Sequence, residues 1–262
     1  MFCLKGKVAL VTGGVRDLGF DMAQALAQAG ADVIVTSRTL SKAQESAEKI
    51  RTTCQVDTLG LQLDHCDWPN VQAVAAEAQN WKGHVDILVN NAGGGSGQGE
   101  CNLFKRDIEN IVGLINTNLL GPLYCCKAFG PAMLKRGSGK IINISSTAGL
   151  VGRDRRMYQR NNMDEQPIEY AAAKAGVIGM TKDLAALMSP QGVNVNAISP
   201  GAFDKGLLPK SFVSDFADET MLGRLGEMGR DLKGVALFLA SPASDYVTGA
   251  NIVVDGGFSS TK

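Results

Sequence analysis

The stretch Lys7-Val-Ala-Leu-Val-Thr-Gly-Gly-Val-Arg-Asp-Leu-Gly19, with the residues that follow it to Thr36, decides the fold. The apolar run before the first glycine predicts a buried strand, and a second apolar run over 31–36 predicts another. Between them a glycine-rich turn opens a helix that ends near Gly30 and keeps its apolar residues at helical spacing. This order of elements lets backbone N–H groups and a helix N-terminus face a phosphate group.

The same alternation of apolar runs and helical segments continues along the chain. Because most strands are apolar throughout, we expect a parallel sheet covered on both faces. We therefore predict an α/β fold, with residues 1–262 as one Rossmann-like domain whose doubly wound parallel sheet has about seven strands and helices on both faces. The further strands are predicted over 59–63, 86–90, 140–145, 193–199 and 251–254, the helices over 41–53, 69–81, 103–136 (broken near Gly121), 169–188 and 231–240, a glycine-rich loop over 93–99, and an irregular arm over 200–226.

Composition excludes several classes of protein. The 262 residues carry 26 basic and 26 acidic side chains, a formal net charge of +0 and 45% hydrophobic residues, which excludes a disordered chain. The sequence has no run of basic residues long enough to indicate nucleic-acid binding. It also has no apolar stretch as long as a membrane span or a secretory signal. The six cysteines lack metal-site spacing, so we predict no metal and a cytoplasmic protein with reduced thiols.

Tyr170 and Lys174 form the first candidate catalytic pair. They are four residues apart in a predicted helix and therefore share one of its faces. A lysine cation beside a tyrosine lowers the pKa of the phenol, so that Tyr170 could pass a proton near neutral pH. Tyr158 lies nearby in the sequence, but Asn162 stands where its lysine would be needed. The pair alone is also compatible with two amphipathic side chains on a half-exposed helix.

Motifs along almost the whole chain resemble those of the short-chain dehydrogenase/reductase family. Each motif is weak alone, but their order and their placement at strand ends are specific. The resemblance implies an NAD(P)-dependent oxidoreductase that transfers a hydride between nicotinamide and a carbonyl or secondary alcohol. The matching segments are Thr12-Gly13-Gly14 to Gly19, Asp64, Asn90-Asn91-Ala92-Gly93, Asn118-Leu119, Ser146, Tyr170 to Lys174, Pro200-Gly201, and Thr248-Gly249 to Asp255-Gly256-Gly257.

The resemblance also implies roles for individual residues. Tyr170 is the general acid for carbonyl reduction, while Lys174 lowers its pKa and binds the nicotinamide ribose. Ser146 hydrogen-bonds the substrate oxygen, where charge grows, and Asn118 holds a water that links Lys174 to solvent. Neighbouring Ser145 is the alternative serine, since only one of the two can face the site. The expected cofactor contacts are Thr12, Gly13, Arg16, Asp17, Leu18, Gly19, Ser37, Arg38, Asp64, Asn91, Ala92, Gly93, Tyr170, Lys174, Pro200 and Gly201.

The end of the second strand bears on the choice of cofactor. It has no carboxylate that would bind the adenosine ribose hydroxyls and favour NAD. Arg38, together with Arg16 in the glycine turn, could instead pair with a 2′-phosphate. We therefore predict NADP rather than NAD, with a solvated loop cation as the alternative interpretation of Arg38.

Two aspartates depart from the family pattern, and the role of a third is open. Asp17 stands where the family usually has glycine, and its carboxylate would repel phosphate unless it caps the first helix, as we expect. Asp204 stands where the family commonly has threonine. Asp64 would contact the adenine edge, or serve as a turn aspartate before a helix that Asp67 caps.

Two segments are expected to overhang the substrate. The substrate loop, 151–168, is longer than in typical family members and carries four arginines that could bind a carboxylate or phosphate, unless they are solvated or make a subunit contact. The lid arm, 200–226, contains Phe203 and other aromatic residues that could cover the substrate or simply pack. The four loop arginines and Phe203 are the tentative substrate contacts. The arginines are Arg153, Arg155, Arg156 and Arg160.

These features favour a small polar anion, such as a keto sugar acid, as the substrate. Overall resemblance places the chain near gluconate 5-dehydrogenase-like enzymes and 3-oxoacyl-carrier-protein reductases, so reduction of a 3-oxoacyl carrier protein is the first alternative. The alternative from another functional class is a non-catalytic sensor that binds NADP(H). We expect no nucleic-acid or membrane partner, and the resemblance implies a homotetramer or homodimer.

Overall fold

A computed structural model describes residues 1–95 and 99–262, so the middle of the glycine-rich loop predicted over 93–99 lies outside the described residues. The main sheet of the described part is parallel and its strands are short and apolar. In chain order the strands are β1 (Val8–Val11), β2 (Asp32–Ser37), β3 (Thr58–Gln62), β4 (Ile87–Asn90), β5 (Gly139–Ile144), β6 (Val193–Pro200), β7 (Phe203–Asp204), β8 (Gly226–Glu227) and β9 (Asn251–Val254).

Helices alternate with these strands along the chain. They are α1 (Asp17–Gln28), α2 (Leu40–Cys54), α3 (Trp68–Lys82), α4 (Ile108–Ile115), α5 (Gly121–Arg136), α6 (Arg155–Arg160), α7 (Ile168–Met188), α8 (Lys210–Asp218) and α9 (Lys233–Ala240). A π-helical turn over Asn116–Leu120 joins α4 to α5. No helix in the described ranges combines the length and apolar character needed to cross a membrane.

Among the described residues, seven strands form one sheet in the order β3-β2-β1-β4-β5-β6-β9, and β7 pairs separately with β8. In the register of the sheet, Ala9 lies between Val33 and Ile87. Side chains that alternate along β1 enter two different cores, Ala9 and Val11 on one face and Val8 and Leu10 on the other. Helices cover both cores, which confirms the predicted doubly wound α/β sheet.

The strand order reverses direction between β1 and β4. From β1 the chain builds outward to β2 and β3, and from β4 it builds the other way to β5, β6 and β9. Ligands of such sheets bind in the crevice at the carboxyl ends of the strands where this reversal occurs. The residues that follow β1, β4, β5 and β6 therefore face one region.

Two predicted segments differ from the structure. The arm over 200–226 is not irregular, because it contains β7 and α8 and reaches β8. The helical segment predicted from 103 begins only at Ile108, and it is not broken near Gly121. Gly121 keeps helical torsion angles, and Pro122 lies in the first turn of α5, where proline is tolerated.

Candidate active site

The carboxyl end of β5 and the first turns of α7 bring the predicted catalytic side chains together. Ser146 follows β5 directly, and its side chain lies close enough to Tyr170 to act on the pKa of the phenol. The ammonium of Lys174, one helical turn further along α7, lies 5.8 Å from the centroid of the Tyr170 ring. These three side chains thus form one cluster, as the spacing of Tyr170 and Lys174 and the family resemblance of Ser146 led us to expect.

The two adjacent serines have different partners. Ser145 is buried, and its hydroxyl donates to the backbone oxygen of Lys174 at 2.7 Å, which ties β5 to α7. Ser146 is half-buried and accepts from the backbone N–H of Ala148 while it contacts Tyr170. Tyr158 instead packs on Phe212, with ring centroids 5.3 Å apart. Of the two serines it is therefore Ser146, and of the two tyrosines Tyr170, that contact each other.

The electrostatics of the cluster differ from the expectation in one respect. Burial raises the pKa of Tyr170, while the hydrogen bond from Ser146 and the positive charge of Arg153 oppose that rise. Lys174 is itself buried, and burial lowers the pKa of its ammonium to about 8. The ammonium donates to the backbone oxygen of Ile144 at 2.8 Å. The expected lowering of the Tyr170 pKa by Lys174 is thus not seen in the protein alone, because the lysine charge is desolvated and directed to a carbonyl.

Asn118 lies in the π-helical turn between α4 and α5 and is fully buried. Its amide donates to the backbone oxygens of Gly94 (3.0 Å) and Leu114 (3.1 Å), and its oxygen accepts from the N–H of Gly94 at 3.2 Å. A Cβ added at Gly93 would lie 2.8 Å from the Asn118 oxygen and 3.7 Å from the Lys174 ammonium. Asn118 therefore holds the glycine loop after β4 beside Lys174, in the kind of π-turn often found at functional sites.

Hydrogen bonds to Thr12 and Gly13 join β1 to β4 at the point where the strand order reverses. The Thr12 hydroxyl oxygen accepts from the N–H groups of Asn91 and Ala92, both at 3.0 Å. The Asn91 side chain donates to the backbone oxygens of Thr12 (2.9 Å) and Gly13 (3.3 Å). These bonds between side chains and backbone groups fix the floor of the crevice.

The glycine turn depends on residues without side chains. Gly13 has a left-handed φ of +62°. A Cβ added at Gly19 would lie 2.3 Å from the Asn91 amide nitrogen and 2.5 Å from the Gly13 oxygen, too close for any side chain. Leu18, between them in sequence, packs against the core. The turn therefore brings backbone close to the crevice, as a phosphate site requires.

Asp17 does not cap the first helix. It is the first residue of α1, has a left-handed φ of +51°, and makes no capping hydrogen bond. Its carboxylate instead accepts from the ammonium of Lys205 at 2.6 Å. The expected N-cap is wrong because α1 begins at Asp17 itself, so that Arg16 occupies the capping position.

The end of the crevice beside β2 carries exposed cations. Arg16 and Arg38 are both exposed, and the Ser37 hydroxyl oxygen accepts from the N–H of Thr39. Asp64 is exposed as well, and its carboxylate accepts from the N–H of Cys66 at 3.0 Å. This turn contact leaves one carboxylate oxygen of Asp64 for a ligand, so both interpretations of the residue stay open.

Two further features lie on opposite sides of the crevice, one after β3 and one after β6. Asp67 occupies the N-cap position of α3 but makes no side-chain capping bond. Pro200 ends β6, and the N–H of Gly201 donates to Val254 at 2.9 Å. A Cβ on Gly201 would meet Asp255 at 2.8 Å, which explains the glycine at this strand end.

The family model described as enoyl-(acyl carrier protein) reductase matches residues 13–259. The chain belongs to the short-chain dehydrogenase/reductase family. It is 36% identical over 97% of its length to cyclohexanol dehydrogenase of Rhodococcus sp. (strain TK6), of which 96% is covered. It is 33% identical over 97% of its length to 3-oxoacyl-[acyl-carrier-protein] reductase of Aquifex aeolicus (strain VF5), of which 98% is covered.

Solved structures agree with this assignment. A gluconate 5-dehydrogenase from Burkholderia cenocepacia J2315, in complex with NADP and tartrate, is 32% identical, with a TM-score of 0.89. The match covers 99% of this chain and 97% of that chain. This short-chain dehydrogenase/reductase is accordingly an oxidoreductase that acts on CH–OH donors, in a family that binds NAD(P).

The substrate loop of this family member holds two arginines half-buried. Arg153 donates to the side-chain oxygen of Gln166 at 2.6 Å and to the backbone oxygen of Pro167 at 3.0 Å. Arg155 donates to Glu165 at 2.6 Å. A Cβ added at Gly95 would lie 2.9 Å from the Gln166 amide nitrogen. Arg153 is therefore linked through Gln166 to the loop that follows β4.

The other two loop arginines are exposed and face different partners. Arg156 pairs with Asp154 at 2.8 Å, within its own loop. Arg160 pairs with Asp215 of α8 at 3.3 Å. Only Arg153, of the four, is among the charges that act on Tyr170. Of the four predicted arginines, Arg153 thus lies near the catalytic hydroxyl. The other three pair with acidic side chains.

Phe203 does not face the crevice. Its side chain is 8% exposed and lies in the core, where a Cβ on Gly226 would meet its ring at 2.7 Å. This position favours packing over the substrate contact that the sequence suggested. Other aromatic rings join the lid arm to the C-terminus, since Phe216 stacks on Phe258 with centroids 4.5 Å apart.

Sequence reasoning missed two long-range contacts at the site. Lys205 was not among the candidates, although it reaches Asp17. The buried pair of Arg106 and Glu169 was also missed, and Glu169 directly precedes Tyr170. Glutamate in the first turn of a predicted helix was a weak signal, because helix N-termini favour acidic residues without any partner.

Proposed function

We propose that this enzyme transfers a hydride between NADP and a polar, anionic ketone or secondary alcohol, such as a keto sugar acid. The observation that carries the proposal is the cluster that Ser146, Tyr170 and Lys174 form at the carboxyl end of β5. Ser146 follows a strand close to the reversal of strand order, where dinucleotides bind in this fold.

The residues around the crevice fit a dinucleotide. A left-handed glycine and a helix N-terminus follow β1, and backbone-bonded polar side chains close the floor. Lys174 has three donors, of which the bond to Ile144 uses one, so the others are available to ribose hydroxyls. The nicotinamide, when bound, supplies or accepts the hydride.

Proton transfer falls to Tyr170. Because burial raises the pKa of this phenol, it stays protonated at neutral pH and can donate to the substrate oxygen in carbonyl reduction. The Ser146 hydroxyl is placed to hydrogen-bond the same oxygen as negative charge develops there. Alcohol oxidation needs the phenolate and should therefore be favoured at higher pH.

The exposed guanidinium groups of Arg16 and Arg38 support NADP over NAD. The relative from Burkholderia cenocepacia was solved with NADP, together with tartrate, a dicarboxylate. Arg153, whose charge acts on Tyr170, is the candidate for binding the anionic group of the substrate.

A 3-oxoacyl carrier protein is the second candidate substrate, because the Aquifex aeolicus relative is named a reductase of that substrate. Arg156 and Arg160 are exposed next to the site and could contact an acidic carrier protein. Both already pair with aspartates, which makes the small anion the better supported substrate.

We also propose a cytoplasmic homotetramer or homodimer. Helix α4 packs on α7, and both expose apolar side chains: Ile108 is 69% exposed and Leu187 64%. A second copy of the chain would cover such residues. Light scattering during gel filtration measures the assembly directly.

Cofactor titration followed by steady-state kinetics tests the proposal. We expect tighter binding of NADPH than of NADH, and faster reduction of 5-ketogluconate than of an acetoacetyl thioester. Tyr170→Phe should retain NADPH binding and lose turnover about 10³-fold. Turnover that survives this substitution, or a protein that binds neither nucleotide, would contradict the proposed chemistry.

A further inference from the structure

The ion pair of Asp17 and Lys205 joins two segments that meet at the crevice. The Lys205 ammonium lies 2.6 Å from the Asp17 carboxylate, across 188 positions of sequence. Both side chains are partly exposed, by 34% for Asp17 and 45% for Lys205. One partner belongs to the glycine turn after β1 and the other to the lid arm after β6.

The path of the chain places the lid arm along the mouth of the crevice. In the sheet, β6 is separated from β1 by β5 and β4, so three strand spacings cover about 14 Å. The four peptide units from Gly201 to Lys205 reach at most about 14 Å. The arm therefore leaves β6 in the direction of β1, and the lysine side chain covers the rest of the distance to Asp17.

A second contact holds the arm on the same helix. The N–H of Gly229, just beyond β8, donates to the carboxylate of Asp21 at 2.6 Å. Asp21 lies one turn after Asp17 on α1. The lid arm is thus tied to the first two turns of α1 by Lys205 near its start and by Gly229 just beyond its end, and Lys205 provides the tie nearer the glycine turn.

Asp17 carries a negative charge in the turn whose backbone would face the cofactor phosphates. A left-handed φ of +51° at this position is a conformation that glycine adopts at lower cost than aspartate. A carboxylate near a pyrophosphate repels it unless a cation neutralises the carboxylate. Lys205 is the cation that does so.

We infer that Lys205 is a positioning residue that neutralises Asp17 and closes the lid arm over the bound dinucleotide, so that this ion pair sets cofactor affinity. The inference rests on the proposed function, because it assumes a dinucleotide in the crevice. As a free-standing surface ion pair the contact would contribute little. Its effect on binding is larger, since removal of Lys205 leaves an uncompensated carboxylate facing phosphate.

The test is a set of NADPH dissociation constants measured by fluorescence titration. We expect Lys205→Ala to raise the constant about tenfold at low salt, and by less at high salt, where the charge of Asp17 is screened. Lys205→Arg should stay near the unaltered protein. The double variant Asp17→Gly with Lys205→Ala should recover most of the affinity, because it removes the repelling charge.

Lys49→Ala is the matched control. Lys49 lines the same cavity of about 480 Å³ as Asp17 and Lys205, and its ammonium lies over the Phe20 ring at 5.0 Å. The control removes one positive charge from the same surface and should leave NADPH affinity unchanged. An equal loss of NADPH affinity in Lys205→Ala and Lys49→Ala would show a general effect of surface charge and overturn the inference.

Two further outcomes separate this inference from the function on which it rests. NADPH binding by the unaltered protein, with unchanged affinity in Lys205→Ala or no recovery in the double variant, would overturn the inference alone. Hydrogen exchange over 201–206 without NADPH should quicken in Lys205→Ala, and unchanged exchange would also count against it. A protein that does not bind NADPH at all would overturn both.

Discussion

The carboxyl edge of the sheet and the layer above it are held in different ways. At the edge, the buried side chains of Asn118 and Ser145 bond to backbone groups, as Thr12 does. Above it, the substrate loop and the lid arm meet through partly exposed ion pairs, such as Arg160 with Asp215, and through the tilted rings of Tyr158 and Phe212. Groups that take part in proton transfer are thus fixed by the sheet, and groups that select ligands are held by weaker contacts.

A buried polar chain beneath the edge reinforces this difference. The Asn90 amide donates to the side chain of Asn143 at 2.8 Å, which in turn donates to Thr181 at 3.0 Å. These bonds link β4, β5 and α7, the three elements that hold the catalytic cluster. Such buried hydrogen bonds fix geometry, although the Asn90 side-chain oxygen lacks a hydrogen-bond partner among the described residues. Loops on the surface, by contrast, tolerate change. We therefore expect substitutions at the edge to alter turnover and those in the layer to alter specificity.

The largest expected effect is that of Lys174→Met. This substitution tests whether a buried group at the edge lowers the stability of the protein while it supports turnover. Loss of the ammonium should lower turnover about 10³-fold, because the bound nicotinamide ribose loses the group proposed to position it beside Tyr170. The same change should raise the free energy of unfolding of the unliganded protein near pH 7 by about 1–3 kcal/mol, since a buried charge disappears. Chemical denaturation and steady-state kinetics measure the two quantities, and Lys182→Met, at an exposed site on the same helix, is the control.

The sign of the pH dependence follows from the lysine pKa. Burial lowers the Lys174 pKa from 10.5 to about 8. Below pH 8 both the folded and the unfolded states hold the proton, and the folded state carries the full desolvation penalty. Between pH 8 and 10.5 the folded state releases the proton first, so the unaltered protein gains stability as pH rises. The stability difference between Lys174→Met and the unaltered protein should shrink over that range, and a constant difference would contradict the assignment.

Sequence reasoning predicted the edge better than the layer. The strands, and the cluster of Ser146, Tyr170 and Lys174, follow from local periodicity and from motifs at strand ends. The ion pair of Asp17 with Lys205 was not predicted, because its partners are brought together by the whole fold. Asp17 was expected as a helix cap from its residue type, and backbone conformation overrode that preference.

A pair of glycine substitutions should show how tightly the edge is built. In Gly19→Ala the new methyl group would meet the Asn91 amide at 2.3 Å and a backbone oxygen at 2.5 Å, so we expect about 2–4 kcal/mol of destabilisation and weaker NADPH binding. Gly179, inside α7, has no atom within 4 Å of an added Cβ. Gly179→Ala should therefore stabilise the protein by about 0.5–1 kcal/mol. If the unfolding midpoints of Gly19→Ala and Gly179→Ala move in the same direction, the proposed difference in packing between the two sites is wrong.

Arg153→Ala has the smallest expected effect and bears on the layer. The side chain is half-buried, is held by Gln166 and Pro167, and lowers the pKa of Tyr170 by its charge. Its removal should raise the KM for a carboxylate-bearing ketone about tenfold and leave the KM for an uncharged ketone within about twofold, because only the anion loses a partner.

The same change should move the pH at which alcohol oxidation sets in upward, since the phenolate of Tyr170 loses a nearby positive charge. Arg156→Ala is the matched control, because Arg156 is exposed, pairs only with Asp154 among the described residues, and is not among the charges that act on Tyr170. Equal KM values for the anionic ketone in the two variants would remove Arg153 from the substrate site. An upward shift of the oxidation profile without any change in KM would assign its charge to the proton donor alone, and would place recognition of the anion elsewhere in the layer.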